Sequence, residues 1–285
     1  MQPLRNALCS LVLTVTIPAF AENTTPKPPP PTQDVPELGT VDSIIYCGYC
    51  DQPFDLSTHK AVLEDLVSNL YIAELRKALY HQDFLHQFES KAHYDNCDFD
   101  SATAYIDILL DEVDEQVREA QDFKDRGDRA GLEQHIRKAF FTLGQALHGV
   151  QDFYAHTNYI ELSVDNAKRS TDIAIIAPWR QSGKDGIDKL REEGLVSGYV
   201  FWGLPQKCPG GTLSHGKLAK DKATTESGKI KVPHLNNRNY YQIAAQLARE
   251  ASQELIDDAF QRWPLLKEEN GENVVFEVLV DRRGL

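Results

Sequence analysis

The sequence has no surplus of positive charge: 43 Asp and Glu stand against 30 Lys and Arg, a formal net charge of −13. A general nucleic-acid binder needs cationic surface facing phosphate, so no general nucleic-acid binding is expected. A small substrate, a cation or a protein partner is favoured instead. Past residue 21 there is no run of 18 apolar residues, so no membrane-spanning helix is expected in the mature protein. A serine elbow, a P-loop and a dinucleotide fingerprint are all missing; GQALHG is not one, because it lies within a helical pattern. Cysteine is scarce, at five in 285 residues. Cys47 and Cys50 form a CxxC, but a zinc knuckle would need a second close pair, and a redox pair would need a βαβ context that the helical sequence following it does not supply. Structural disulfides are expected among Cys47, Cys50, Cys97 and Cys208, and three pairings stay open.

What is present begins with an export signal. Arg5, the apolar ALCSLVLTVTIP and Ala19-Phe20-Ala21 follow the charged, apolar and small-x-small order of a leader spanning residues 1–21, cut before Glu22. Cys9 precedes most of the apolar run, where a lipid-attachment site would not sit. The expected location is therefore secreted or periplasmic. Residues 22–39, ENTTPKPPPPTQDVPELG, are too rich in proline for helix or sheet and read as an extended linker. Residues 40–285, at 41% hydrophobic for the whole chain, suffice for one domain with a substantial core.

That domain reads as all-α. Apolar residues recur at three- and four-residue spacings in the segments 58–88, 102–123, 127–162 and 237–263, the third starting at the cap Asp128 and the last stopped by Pro264. Residues 163–236 read as a long irregular region, which in a compact domain is usually functional. NVVFEVLV near the end suits one strand. His81 and His86 have no carboxylate at ligand spacing between them and read as ordinary core or surface histidines. Trp179 and Trp202 flank the irregular region and suit packing or, less commonly, contact with an acyl chain or a membrane interface.

The chemistry concentrates in HGVQDFYAH, 148–156. His148, Asp152 and His156 recur every four residues, a step of about 400° and about 6 Å, so they form one polar stripe on a helix. Phe140, Phe141, Leu143, Leu147, Val150 and Phe153 surround the stripe and should be buried. A carboxylate between imidazoles in such surroundings needs compensating charge, which a metal cation supplies; imidazole nitrogen and carboxylate oxygen are ligands zinc accepts. A hydrogen-bonded His-Asp-His ladder without metal is the alternative. One helix cannot complete a cluster. His93 and Asp95 in KAHYDNCDFD, and His215 and Asp221 in SHGKLAKD, are the remaining candidates.

These segments carry a resemblance. KAHYDN followed by KAFFTLGQALHGVQDFYAHTN resembles the zinc-dependent phospholipase C fold, which pairs HxYD with a helix reading AxxxLGxxLHxxxDxxxxxH. Closer is the likeness to the Het-C family of heterokaryon incompatibility, through AHYDNC, LGQALHGVQDFYAHTNYIEL, LVSGY, the KC preceding SHGKLAKD, and NYYQIAAQLAREAS, scattered from about residue 91 to 252. The resemblance implies a multi-helix domain with two or three zinc ions, held by His93, His148, Asp152, His156 and His215, with Asp221 of SHGKLAKD added as a candidate ligand from its place in the irregular region. It also implies hydrolysis of a phospholipid or related phosphodiester, at a membrane surface for the former. Asp83 and Asp95 are the candidate bases that orient and deprotonate the attacking water. Asn158 and Glu161, just past the stripe, are candidates to support the ligands.

The chain departs from the phospholipase pattern in four places. His156 follows Asp152 by four residues rather than six, as in Het-C, and Ala219 stands where a ligand glutamate would follow His215. Asp83 matches the upstream aspartate only approximately, and a proline-rich linker replaces the N-terminal tryptophan ligand. A zinc nuclease shares the cluster but not the acidic balance. A Het-C-like toxin or cell-death protein with a structural metal, acting on membranes or a partner, is the non-catalytic alternative.

Overall fold

The computed structural model of the protein describes residues 69–200 and 207–270. The expected leader and linker, the Cys47–Cys50 segment, Trp202 and the strand expected at NVVFEVLV lie outside the described residues.

The fold is mainly helical, as the periodicity predicts, and is built around one central helix. Helix α1, Asn69–Leu85, is followed by the short α2, Ser90–His93, and then by α3, Phe99–Asp125, and α4, Arg129–His156. Asp98 caps α3 by accepting from Ser101 N, and Asp128 caps α4 by accepting from Gly131 N. On α3 the buried Ala102, Ile106, Leu109, Leu110, Val113, Val117 and Ala120 mark a single apolar stripe, with acidic residues facing out. Helix α4 differs: residues 142–156 are buried all round. It is enclosed by α1, α3 and the last long helix, and each fully buried Leu or Phe on it contributes about 1.5–3 kcal/mol relative to exposure. Gly144 lets α1 pack close, since a Cβ there would lie 2.7 Å from the Cβ of Ala78.

Two boundaries differ from the sequence reading. The stripe helix ends at His156 instead of running to Leu162, because Thr157 is extended (φ −106°, ψ 165°) and its hydroxyl takes the carbonyl of Phe153. The short α5, Tyr159–Ser163, follows. The region read as irregular contains a full helix, α6, Gln181–Glu192. It buries only Gly183 and Ile187, and ion pairs hold it to α3: Lys184 to Asp107 at 2.5 Å and Arg191 to Asp100 at 2.8 Å. Later come α7, His215–Leu218, a two-stranded antiparallel sheet of β1, Lys231–Val232, and β2, Arg238–Asn239, and the long α8, Tyr240–Arg262. Asn239 and Gln242 form a capping box at the start of α8. The last long helix stops before Pro264, as the sequence reading has it, with its cap at Trp263; Pro264 then opens a separate short helix, α9, Pro264–Asn270, where proline at the first position loses no hydrogen bond. Gln151 on α4 donates to Ser252 of α8 at 3.0 Å, a polar lock inside the core.

Cys97 is disulfide-bonded to Cys208, with Cα atoms 4.9 Å apart across 111 residues of sequence. The bond ties the loop after α2 to the segment before α7. Among the described residues no helix is long and apolar enough to cross a membrane.

Candidate metal centre

Three segments converge on the buried stripe of α4. The first is the loop after α2, where Tyr94, Asn96 and Cys97 all adopt left-handed backbone (φ 57°, 58° and 55°). Such conformations cost on the order of 1–3 kcal/mol each for non-glycine residues and persist only where surroundings enforce them. Here Asn96 Nδ2 donates to Ser90 Oγ at 2.6 Å, Asn96 Oδ1 accepts from Val200 N at 2.8 Å, and Cys97 N donates to Ser197 Oγ at 2.8 Å. His93, the last residue of α2, and Asp95 in this loop face the stripe. The second is the C-terminal end of α1, which contributes Asp83. The third is the segment through α7, which carries His215 and Asp221. Gly198 lets this last segment close, because a Cβ there would lie 2.4 Å from the Cα of His215.

All eight candidate side chains, Asp83, His93, Asp95, His148, Asp152, His156, His215 and Asp221, are buried, none more than 8% exposed. They fall into two groups. In the first, Asp152 Oδ2 lies 2.9 Å from both His93 Nδ1 and His148 Nε2, those two nitrogens are 3.1 Å apart, and Asp83 Oδ1 is 3.5 Å from His148 Nε2. Ligand atoms around a tetrahedral zinc with bonds of ~2.0–2.1 Å stand about 3.3 Å apart, and these separations bracket that spacing.

In the second group, His156 Nδ1 is 2.9 Å from the carbonyl of His93, which can only accept, so this nitrogen carries the hydrogen. His156 Nε2 then faces Asp221 Oδ1 at 3.2 Å with no hydrogen to donate to it. His215 repeats the arrangement: its Nδ1 is 2.8 Å from Asp95 Oδ1, and its Nε2 faces Asp221 Oδ2 at 4.0 Å. Both oxygens of Asp221 and Nε2 of His156 are buried with no hydrogen-bond partner among the described residues. Two imidazole lone pairs turned toward one carboxylate call for a cation between them. The donor sets Asp83/His93/His148 and Asp95/His156/His215 each place their ligand atoms within 4.8 Å of one another, and Asp152 and Asp221 lie against them. The residues present therefore fit one or more metal ions.

The electrostatics agree. Burial alone would push the imidazole of His156 down, but the charges of Asp152, Asp95 and Asp221 override it and hold it well above the usual histidine range. His93 is raised in the same way against its burial, chiefly through Asp152 and then Asp83 and Asp95. Asp221 is pushed up by burial, with His156 and His215 pulling it back. Without a cation the cluster takes up protons in its place.

The supporting residues are only partly those read from the sequence. Asn158 accepts from Val196 N at 2.8 Å and donates to Gly194 O at 3.1 Å, fixing the segment that leads to Gly198. Glu161 pairs with Lys220 at 3.0 Å, a residue the sequence did not single out. Nothing in the local pattern KLAKD separates a buried lysine from a solvated one. Trp179 is a packing residue, with its Nε1 donating to Asp258 at 2.7 Å, and His81 and His86 stay outside the cluster.

No curated protein and no solved structure matches the chain, so the likeness to the zinc-dependent phospholipase C fold rests on its motif alone. A family match does cover the heart of the site: residues 90–171, which carry His93, Asp95, His148, Asp152 and His156, match the family model described as heterokaryon incompatibility protein Het-C.

Proposed function

We propose that the protein is an exported, metal-dependent hydrolase of phospholipids or related phosphodiesters, and that it holds two zinc ions. The reading is supported above all by two buried donor sets, Asp83/His93/His148 and Asp95/His156/His215, with Asp152 and Asp221 buried against them. His93, His148, Asp152 and Asp83 would hold one ion. His156, His215 and Asp221 would hold the other, with Asp221 standing in for the glutamate that Ala219 replaces. A divalent cation in such a setting polarises phosphoryl oxygens and acidifies water at neutral pH. Asp95, whose Oδ1 receives the Nδ1 hydrogen of His215, orients that ring and keeps its Nε2 directed at Asp221. Asp83, beside His148, is the carboxylate we assign to steadying the attacking water. The Cys97–Cys208 disulfide fits an oxidising compartment, in keeping with export.

One observation favours a second reading. Every donor is buried, as in closed structural metal sites, which suits a Het-C-like toxin or cell-death protein whose metal serves stability. Turnover separates the two. The full-length mature protein, loaded with zinc, should hydrolyse p-nitrophenyl phosphorylcholine or phosphatidylcholine vesicles, and the Asp152→Ala variant should not. Zinc-dependent stability without turnover of either substrate would select the structural reading.

A further inference from the structure

Lys220 is fully buried, yet its ammonium has three partners for its three donors. Nζ donates to the carbonyl of Thr157 at 2.7 Å and to that of Leu218 at 3.0 Å, and Glu161 Oε1 lies 3.0 Å away. The backbone N of the same residue donates to the carbonyl of Ala155 at 3.0 Å. Carbonyls at a helix C-terminus have no partner within the helix and carry partial negative charge, which a cation there complements. Lys220 thus occupies the carbonyls on either side of His156, at the end of α4, while being covalently joined to Asp221. Glu161 is itself fixed, accepting from Ser227 Oγ at 3.0 Å. On the other side, Ala219 N donates to the carbonyl of His215 at 2.8 Å, so the same short turn carries the third donor of the group.

We propose that Lys220, held by Glu161, is a positioning clamp that sets the separation of His156 and Asp221 and thereby decides whether the second metal ion is retained. It touches neither cation nor substrate. The inference rests on the two-ion reading above. It sets the two donor groups apart: the first is built on α1, α2 and α4 without Lys220, and the second depends on it.

The test is a cobalt(II) titration of the metal-free full-length protein, followed by ligand-field absorption and by elemental analysis, with far-ultraviolet circular dichroism as the control. Lys220→Met keeps the aliphatic stem and removes the donors. It should saturate at about one cobalt per chain where the wild type takes about two, with helical content unchanged, and adding His148→Ala should remove the ion that remains. Retention of both ions with the wild-type spectrum overturns the clamp, as does equal loss of both from a folded variant. Should Lys220→Met fail to fold, Glu161→Gln decides: the second cobalt should bind at least about tenfold more weakly with the first unaffected, and a wild-type titration curve overturns the proposal. A wild type that binds no cobalt overturns the metal reading itself, a failure visible before any variant is compared.

Discussion

At the scale of single residues, the site depends on what each imidazole does with its two nitrogens. His156 and His215 both commit Nδ1 to an oxygen and turn Nε2 toward Asp221. Asp95→Asn keeps an oxygen able to accept from His215 but removes the charge, and should weaken metal binding about 10- to 100-fold, measured by competition with a chromogenic chelator. Gly198→Ala places a methyl against the backbone of His215, so it should deplete bound metal while leaving helical content intact, read by elemental analysis beside circular dichroism. The i, i+4 stripe of His148, Asp152 and His156 was legible in the sequence because helical geometry alone puts those three on one face. That Asp83 meets His148, and that Asp221 meets His156 and His215, was suggested only by resemblance and spacing. Those meetings are tertiary facts, set by how α1 and the α7 segment fold back on α4.

At the scale of elements, the long helices follow from apolar residues at three- and four-residue intervals, and the caps Asp128 and Asn239 mark their starts. The features that escaped have physical reasons. Helix α6 carries two glycines and only one large buried apolar residue, so no stripe announces it. The stop at His156 is made by a threonine hydroxyl competing for a backbone carbonyl, a choice that depends on the strand-like contact of Thr157 with Ser197. The disulfide pairing was open among three possibilities until Cys97 and Cys208 were brought within bonding distance. Closing a loop of this length removes unfolded-state entropy worth up to about 4–5 kcal/mol. The Cys97→Ser/Cys208→Ser protein should therefore melt well below the wild type by calorimetry. Because the bond joins the loop that follows His93 and bears Asp95 to the segment bearing His215, it should also bind metal more weakly.

At the scale of the whole molecule, the cluster links stability to pH. His93 and His156 have folded-state pKa values raised above the ordinary histidine value. In the metal-free protein their contribution is present in full below about pH 6.5 and is lost as pH rises through the folded values. Asp221, also raised, acts with the same sign, its contribution being lost as pH climbs above the ordinary carboxylate range. Metal binding needs these groups deprotonated, so it strengthens over the same interval. The gap in melting temperature between zinc-loaded and metal-free protein should widen from about pH 5 to about pH 8, and a gap that narrowed would contradict the proton–metal competition. The most direct test of the account is the metal content of the purified mature protein, beside Asp152→Ala and His148→Ala variants. Two zinc ions per chain in the wild type, depleted in both variants, is the predicted result. A wild type with no metal above background contradicts it, and would make the buried His and Asp residues a proton-sharing ladder in a protein that is not a metalloenzyme.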